Sequence, residues 1–430
     1  MASNIQILTD IPETSPVYNQ VQFCLKEFDN PSLAQPNYHF VIDIITQFDG
    51  TFRTEVIPRP APNQNLGFQD VGQILEGLVR ETIPAADTTS SFQITTNLDT
   101  AIVKFHIEVL SAWDVAGVFT IDPDGVGAVV GSDKYLWSGS FGFHDWIGQI
   151  KDATPFETWI MNTTNGVNAE FLTSYKTPKV SINDLGWHWC LTDTPAEVQV
   201  LEVKTYDSSG IIIQTARSLN TTSDIFTFSR LRSVSTSPES LNKIATSLAL
   251  GAQPIIDSTV ATYTVQILDA AFAAVSEILN FEIDTCTRYE VYRLHFENEL
   301  GGFDSFNFKL RSLKTTQNQK KKYNRADTNL DPTGIVYRNQ DGGTVAYYVK
   351  TRDKIKLESD YLTNDENTWL KQLIDSTQVY LEFTDDKGDK DLKPVFVTTS
   401  NWTDKDISID KLFRLTLDID LGHENYRQLR

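Results

Sequence analysis

The segment YEVYRLHFENELGGFDSFNF, residues 289–308, decides how this 430-residue chain is read. In its first half Val291, Arg293, His295 and Glu297 alternate with Tyr292, Leu294 and Phe296. In its second half Phe303, Ser305 and Asn307 alternate with Asp304, Phe306 and Phe308. That period of two, rich in aromatic residues, belongs to two strands, and Gly301-Gly302 between them supplies the positive φ of a short hairpin connection. The hairpin runs straight into KLRSLKTTQNQKKKYNR, residues 309–325, the one concentrated basic tract of an otherwise acidic protein.

Working outward, the same signals recur. Towards the amino terminus, residues 21–28, 38–46 and 51–57 read as strands separated by turn-forming Asp-Asn-Pro and Asp49-Gly50. A proline-rich stretch at 58–63 cannot be central strand, because proline lacks the amide donor. Residues 70–82 predict a helix with Asp70 as N-cap and Val71, Ile74, Leu75, Leu78 and Val79 on one face. Strands resume at 101–110 and, at sandwich-like spacing, at 198–206, 211–216, 225–228, 263–268 and 278–283. A capped helix is expected near 237–250. Beyond the basic tract, 343–350 reads as a strand. Thr363 with Glu366 forms a capping box opening a helix whose stripe is Trp369, Leu370, Leu373 and Ile374, and strands follow at 379–383, 392–399 and 412–421.

The expected architecture is mainly β and multi-domain, with β-sandwich-like modules and a few short helices. Residues 1–110 form a β module with one helix, and 111–190 a Trp- and Gly-rich β insertion. Residues 191–310 form an immunoglobulin- or fibronectin-like sandwich, and 311–430 a basic arm plus an α+β module. Length alone predicts more than one core.

Several motif segments resemble virion structural proteins of tailed bacteriophages, especially those infecting Bacteroidetes-type hosts. They are N-x-x-G-G-F-D-S-F-x-F at 298–308 with the Lys-rich stretch after it, Y-x-F-V-x-D-I at 38–44, D-V-G-x-I-L at 70–75, W-L-x-x-L-I-x-S at 369–376, the V-Y-L strand at 379, the P-V-x-V strand at 394 and the last L-x-L-x-I strand. The resemblance covers about half the chain. It implies a structural subunit of a tail, baseplate or neck ring, made in the host cytoplasm and resident in the virion, with copies of itself and other virion proteins as partners.

Composition is consistent with that expectation. A formal charge of −20 argues against sequence-independent nucleic-acid binding and against an anionic membrane surface. No stretch approaches the roughly 20 apolar residues of a spanning helix, and the first residues lack the basic and apolar regions of a signal peptide. Cys24, Cys190 and Cys286 lie far apart and suit buried thiols, and His39, His106, His144, His188, His295 and His423 form no metal spacing. No cofactor is expected.

Nor is an enzyme expected. There is no G-x-S-x-G elbow, Walker or Rossmann glycine pattern, and acidic pairs such as Asp122/Asp124 and Asp385/Asp386 are what 57 acidic residues produce by chance. Residues 122–132, DPDGVGAVVGS, lack both the Glu of a calcium loop and the G-K-[ST] of a phosphate loop.

Two segments are candidate interaction sites. In the basic tract Lys320, Lys321 and Lys322 suit a solvated loop or arm, an arm docking on the acidic face of a neighbouring copy, or, third and disfavoured by the charge elsewhere, a nucleic-acid patch. In the middle of the chain Trp113, Trp137 and Trp146, with Trp159, Trp187 and Trp189, suit either β cores and subunit contacts or a surface that stacks on sugar rings. The second use would make a host-surface glycan the alternative partner, engaged by a receptor-binding tail protein or cleaved by a depolymerase.

Overall fold

Alternating apolar residues close into sheets throughout the chain, and the protein is mainly β with several sheets and few short helices. A computed structural model describes residues 5–28, 37–47, 50–57, 66–79, 94–95, 101–121, 129–152, 154–193, 198–219, 230–243, 254–285, 288–326, 328–336, 339, 343–388, 390–399, 414–422 and 425–428. The expected strand at 225–228, most of the 122–132 loop, Cys286 and His423 lie outside them.

The chain divides into two units. The first comprises Met1–Ile283 and Glu297–Asp304, the second Asp284–Phe296 and Ser305–Arg430. The hairpin of residues 289–308 therefore has its tip in the first unit and its stems in the second. A border at residue 110 falls inside the strand Ile102–Val115, and the strand Ile94–Thr95 pairs with Leu231–Ser235, so strand pairing runs across the module borders drawn from sequence.

Among the described residues the first unit has two cores. In one, the sheet of Ile5–Thr9, Gln22–Glu27 and Leu66–Asp70 and a larger sheet built on His39–Thr46 and Ile102–Val115 contribute Phe23, Leu25, Phe40, Ile42, Ile44, Phe105 and Val109. His39–Thr46 is buried on both faces, which explains its nearly unbroken apolar sequence.

The second core is shared by a five-stranded sheet, containing Val200–Tyr206, Ile212–Leu219, Thr262–Leu268 and Leu279–Ile283, and a sheet containing Trp187–Thr192 and Leu231–Ser235. It is a sandwich. Unlike the immunoglobulin-like expectation, it takes in Ile160–Met161 and Lys179–Val180 as parallel strands, while the strands flanking 297–304 belong to the second unit.

The helix expected at 70–82 is much shorter, a turn of α-helix over Gly72–Leu75 and a 3-10 turn over Glu76–Leu78. Asp70 is not its N-cap. It is the last residue of the strand Leu66–Asp70, and its carboxylate accepts from the amides of Val21 and Gly72. The helix near 237–250 is described over Pro238–Lys243.

In the second unit one sheet follows the order Phe303–Phe308, Tyr292–Glu297, Val379–Thr384, Lys390–Val397, Thr416–Leu421, Gly343–Glu358 and Leu313–Arg325. The helix Asn364–Asp375 carries the expected capping box. Thr363 Oγ1 accepts from the Glu366 amide at 3.2 Å, and the Glu366 carboxylate accepts from the Thr363 amide at 2.8 Å. Its Trp369 meets Phe296 and Phe306. Cross-strand partners share a face of a sheet, so register puts Phe296, Leu381, Val395, Ile419 and Ile355 on one apolar face. Arg293, His295, Glu382, Asp420 and Lys354 lie on the other. Among the described residues no helix is long and apolar enough to cross a membrane.

Candidate functional site

Most of the basic tract, Leu313–Arg325, is strand and not loop. Residues Leu313–Arg325 form a strand exposed at every position, paired antiparallel along its whole length with Gly343–Glu358. Together the two strands carry nine Lys and Arg against two acidic residues. These thirteen consecutive exposed residues contribute nothing to a core, yet a ladder with one irregularity holds them extended. Lys320, Lys321 and Lys322 all lie on this ribbon.

Register divides them. Lys321 pairs with Tyr348, Gln319 with Lys350 and Gln317 with Arg352, so Lys321, Lys350 and Arg352 stand on one face. Lys320 pairs with Val349, on the opposite face. Lys322 follows it there, because the strand Leu313–Arg325 alternates through Lys321 while the irregularity inserts Tyr347 into its partner.

Tyrosines line the first face. Lys321 Nζ lies 5.5 Å from the Tyr348 ring centroid and Lys350 Nζ 5.9 Å from that of Tyr426, whose strand pairs Lys350 with Tyr426. Tyr348 and Tyr426 are themselves neighbours at 6.0 Å, and Tyr323 and Tyr347 meet edge-on at 6.1 Å. Nearer the body of the sheet Asp420 and Asp418 stand beside Lys354 and Lys356, and Asp420 lies 3.7 Å from Arg352. Positive charge is thus balanced at the base of the ribbon and dominant towards its tip.

The tryptophans are dispersed in role. Trp137 is fully buried, and its indole Nε1 donates to the Leu300 carbonyl at 2.9 Å. With Phe141, Phe156 and Trp159 it forms a packed aromatic cluster. Trp187 and Trp189 are buried in a core strand. Trp113 and Trp146 are half-buried, the latter on the short helix Phe143–Ile150, which buries none of its residues. The structure does not place Trp137 on a surface with either of them.

One cluster escaped sequence reasoning. On the polar face of the second sheet, Ser305 Oγ lies 2.7 Å from His295 Nδ1, and His295 Nε2 lies 3.4 Å from Glu382 Oε2. The Glu382 carboxylate also meets Lys390 Nζ at 2.7 Å and Arg293 Nε at 3.7 Å, while Arg293 Nη1 donates to Asn307 at 2.9 Å. The order Ser, His, Glu is that of a hydrolase triad, but the ring nitrogens are exchanged, with Nδ1 towards Ser305 and Nε2 towards Glu382, and the surroundings also work against that use. The His295 and Glu382 side chains are 1% and 2% exposed. Lys390 Nζ and Arg293 Nε also approach the Glu382 carboxylate. The sequence signal was the pair Arg293 and His295 alternating on one face of a strand, which a water-facing reading absorbs equally well.

What the cluster does is hold charge in the interior. Burial pushes the Glu382 carboxyl upward, but interaction with His295, Arg293 and Lys390 outweighs it and brings the pKa from 4.5 down to about 2. The folded value lies below the unfolded one, so Glu382 adds stability above pH 4.5 and loses it as pH falls towards 2. Denaturant midpoints measured across that window should therefore drop by an amount equivalent to roughly 2 kcal/mol. Glu382→Gln should be less stable at pH 7 and should show a shallower fall than wild type. Equal acid slopes in the two proteins would remove this role from Glu382.

Among the described residues no three His, Cys, Asp or Glu side chains gather as a metal-ligand set. Cys190 is buried beside core residues, which raises its thiol pKa to about 12, and Cys24 is half-buried. Asp385 closes a turn by accepting from the Lys387 amide. No protein-family model and no curated protein sequence matches the chain.

Proposed function

We propose that this chain is a non-enzymatic structural subunit of a tailed-phage virion, repeated in a tail, baseplate or neck assembly. The observation that carries the reading is the ribbon. A chain that keeps an ordered basic strand exposed at every position, together with dispersed polar clusters tied up in internal pairing, is built to be met by another macromolecule. Its sequence resemblance to phage structural proteins agrees with that use. The partners are copies of itself and other virion proteins.

Light scattering on the purified protein and cross-linking in intact particles test the reading together. Oligomers, or cross-links to a neighbour in the particle, are expected; an isolated monomer with no neighbour would refute it. Replacing Lys320, Lys321 and Lys322 together by Glu should impair assembly while leaving the unfolding transition in place, because all three side chains are exposed.

One observation favours the receptor-binding alternative. Helix Phe143–Ile150 presents Phe143 at 67% exposure near half-buried Trp146 in sequence, an aromatic surface that could stack on sugar. Host-surface polysaccharide binding that is lost in Trp146→Ala, with folding intact, would establish that reading; a silent glycan array would set it aside.

A further inference from the structure

We infer that the cationic face of the ribbon tip, carrying Lys321, Lys350, Tyr348 and Tyr426, docks on the acidic first unit of a second copy of this chain. The inference rests on the assembly reading and names its partner and its face. Charge supplies the argument. The first unit holds 14 Lys and Arg against 35 Asp and Glu, a formal −21, while the second holds 23 against 22, a formal +1. The net negative charge of the protein therefore resides entirely in one unit, and the basic ribbon in the other.

The two faces of the ribbon differ. The face of Lys321 and Lys350 offers cations seated beside tyrosine rings, which support the long side chains, with Lys321 exposed and Lys350 half-buried. The face of Lys320 and Lys322 sets its cations beside Val349 and Ala346 and leads towards the apolar side of the sheet, with buried Ile355 and Leu357. Nucleic acid is the less favoured polyanion, because any duplex drawn to the ribbon must also approach a chain bearing the −21 unit. A second copy presents that same charge as the attraction. Ribbon and acidic unit are different surfaces, so the contact is either made twice in a two-fold dimer or propagated head to tail into a ring or filament.

Two double variants with the same change in net charge separate face from charge. Full-length Lys321→Glu/Lys350→Glu should associate at least tenfold more weakly than wild type in sedimentation at low salt. Full-length Lys320→Glu/Lys322→Glu should change association less than threefold, and wild-type association should weaken as salt rises from about 0.05 to 0.5 M. Equal weakening by both variants would overturn the assignment of the face. Tight binding of a labelled DNA duplex by wild type, lost in Lys321→Glu/Lys350→Glu and unaccompanied by self-association, would overturn the choice of partner. A monomer at every salt concentration that still cross-links to a different protein in particles would remove the second copy while leaving the assembly reading standing.

Discussion

Gly301→Ala is expected to destabilise the first unit by about 2–5 kcal/mol, from the strain of a left-handed backbone and the displacement of packed atoms. Gly301 sits at φ +81°, and a Cβ there would collide with the Ser138 carbonyl oxygen and come within 2.8 Å of Trp137 Cδ1. The obstacle is backbone, so no rotamer change relieves it. The loop cannot simply shift, because the Asn298 carboxamide oxygen accepts from the amides of both Leu300 and Gly302, and the Asn298 side chain donates to the Leu172 carbonyl. Gly210→Ala is the control. It has φ +77° and no atom within 4 Å of an added Cβ, so it should show only the conformational cost, about 1 kcal/mol. Denaturant midpoints of the two variants test the difference, and equal losses would mean that the contact with Ser138 is relieved at no cost.

Trp137→Ala should cost about 3–5 kcal/mol, the range for emptying a large aromatic side chain from a core. Trp137 is 0% exposed and packs edge-on against Phe141 and Phe156. Trp137→Phe keeps most of the apolar contact but leaves the Leu300 carbonyl without its indole donor, a loss of roughly 1–3 kcal/mol. A thermal or denaturant series should thus rank wild type above Phe above Ala. If Trp137→Ala unfolds like wild type and instead abolishes sugar binding, the ring is a recognition surface and its packing is dispensable.

The hairpin, the alternating strands and the capped helix were legible because each is written locally. Gly301 has to be glycine, Thr363 and Glu366 sit at the spacing a capping box requires, and period two needs no knowledge of distant residues. The ribbon was only half legible. KTTQNQKKKY has too little apolar alternation to announce a strand, and it becomes one because Gly343–Glu358 supplies a ladder from further along the chain. Charge alone suggested an arm but could not say which of Lys320, Lys321 and Lys322 faces which way, since that depends on cross-strand register.

The candidate helix at 70–82 overran for the opposite reason. Its apolar spacing was real, but Val71 and Leu75 are spent on the first core within a single turn. Of the Ser305–His295–Glu382 cluster the sequence carried only the strand-face signal at Arg293 and His295, because its third member arrives from a strand far along the chain.

The placement of residues 297–304 also sets an order of events during synthesis. The first unit is discontinuous, and its last piece is preceded by a strand that belongs to the second. As the chain leaves the ribosome, the Trp137 indole has no carbonyl to meet until Leu300 emerges, and by then Tyr292–Phe296 is already outside, waiting for Val379–Thr384. A fragment ending at residue 283 would lack the piece that closes its own aromatic cluster. No single cut in the gene can therefore yield both units whole.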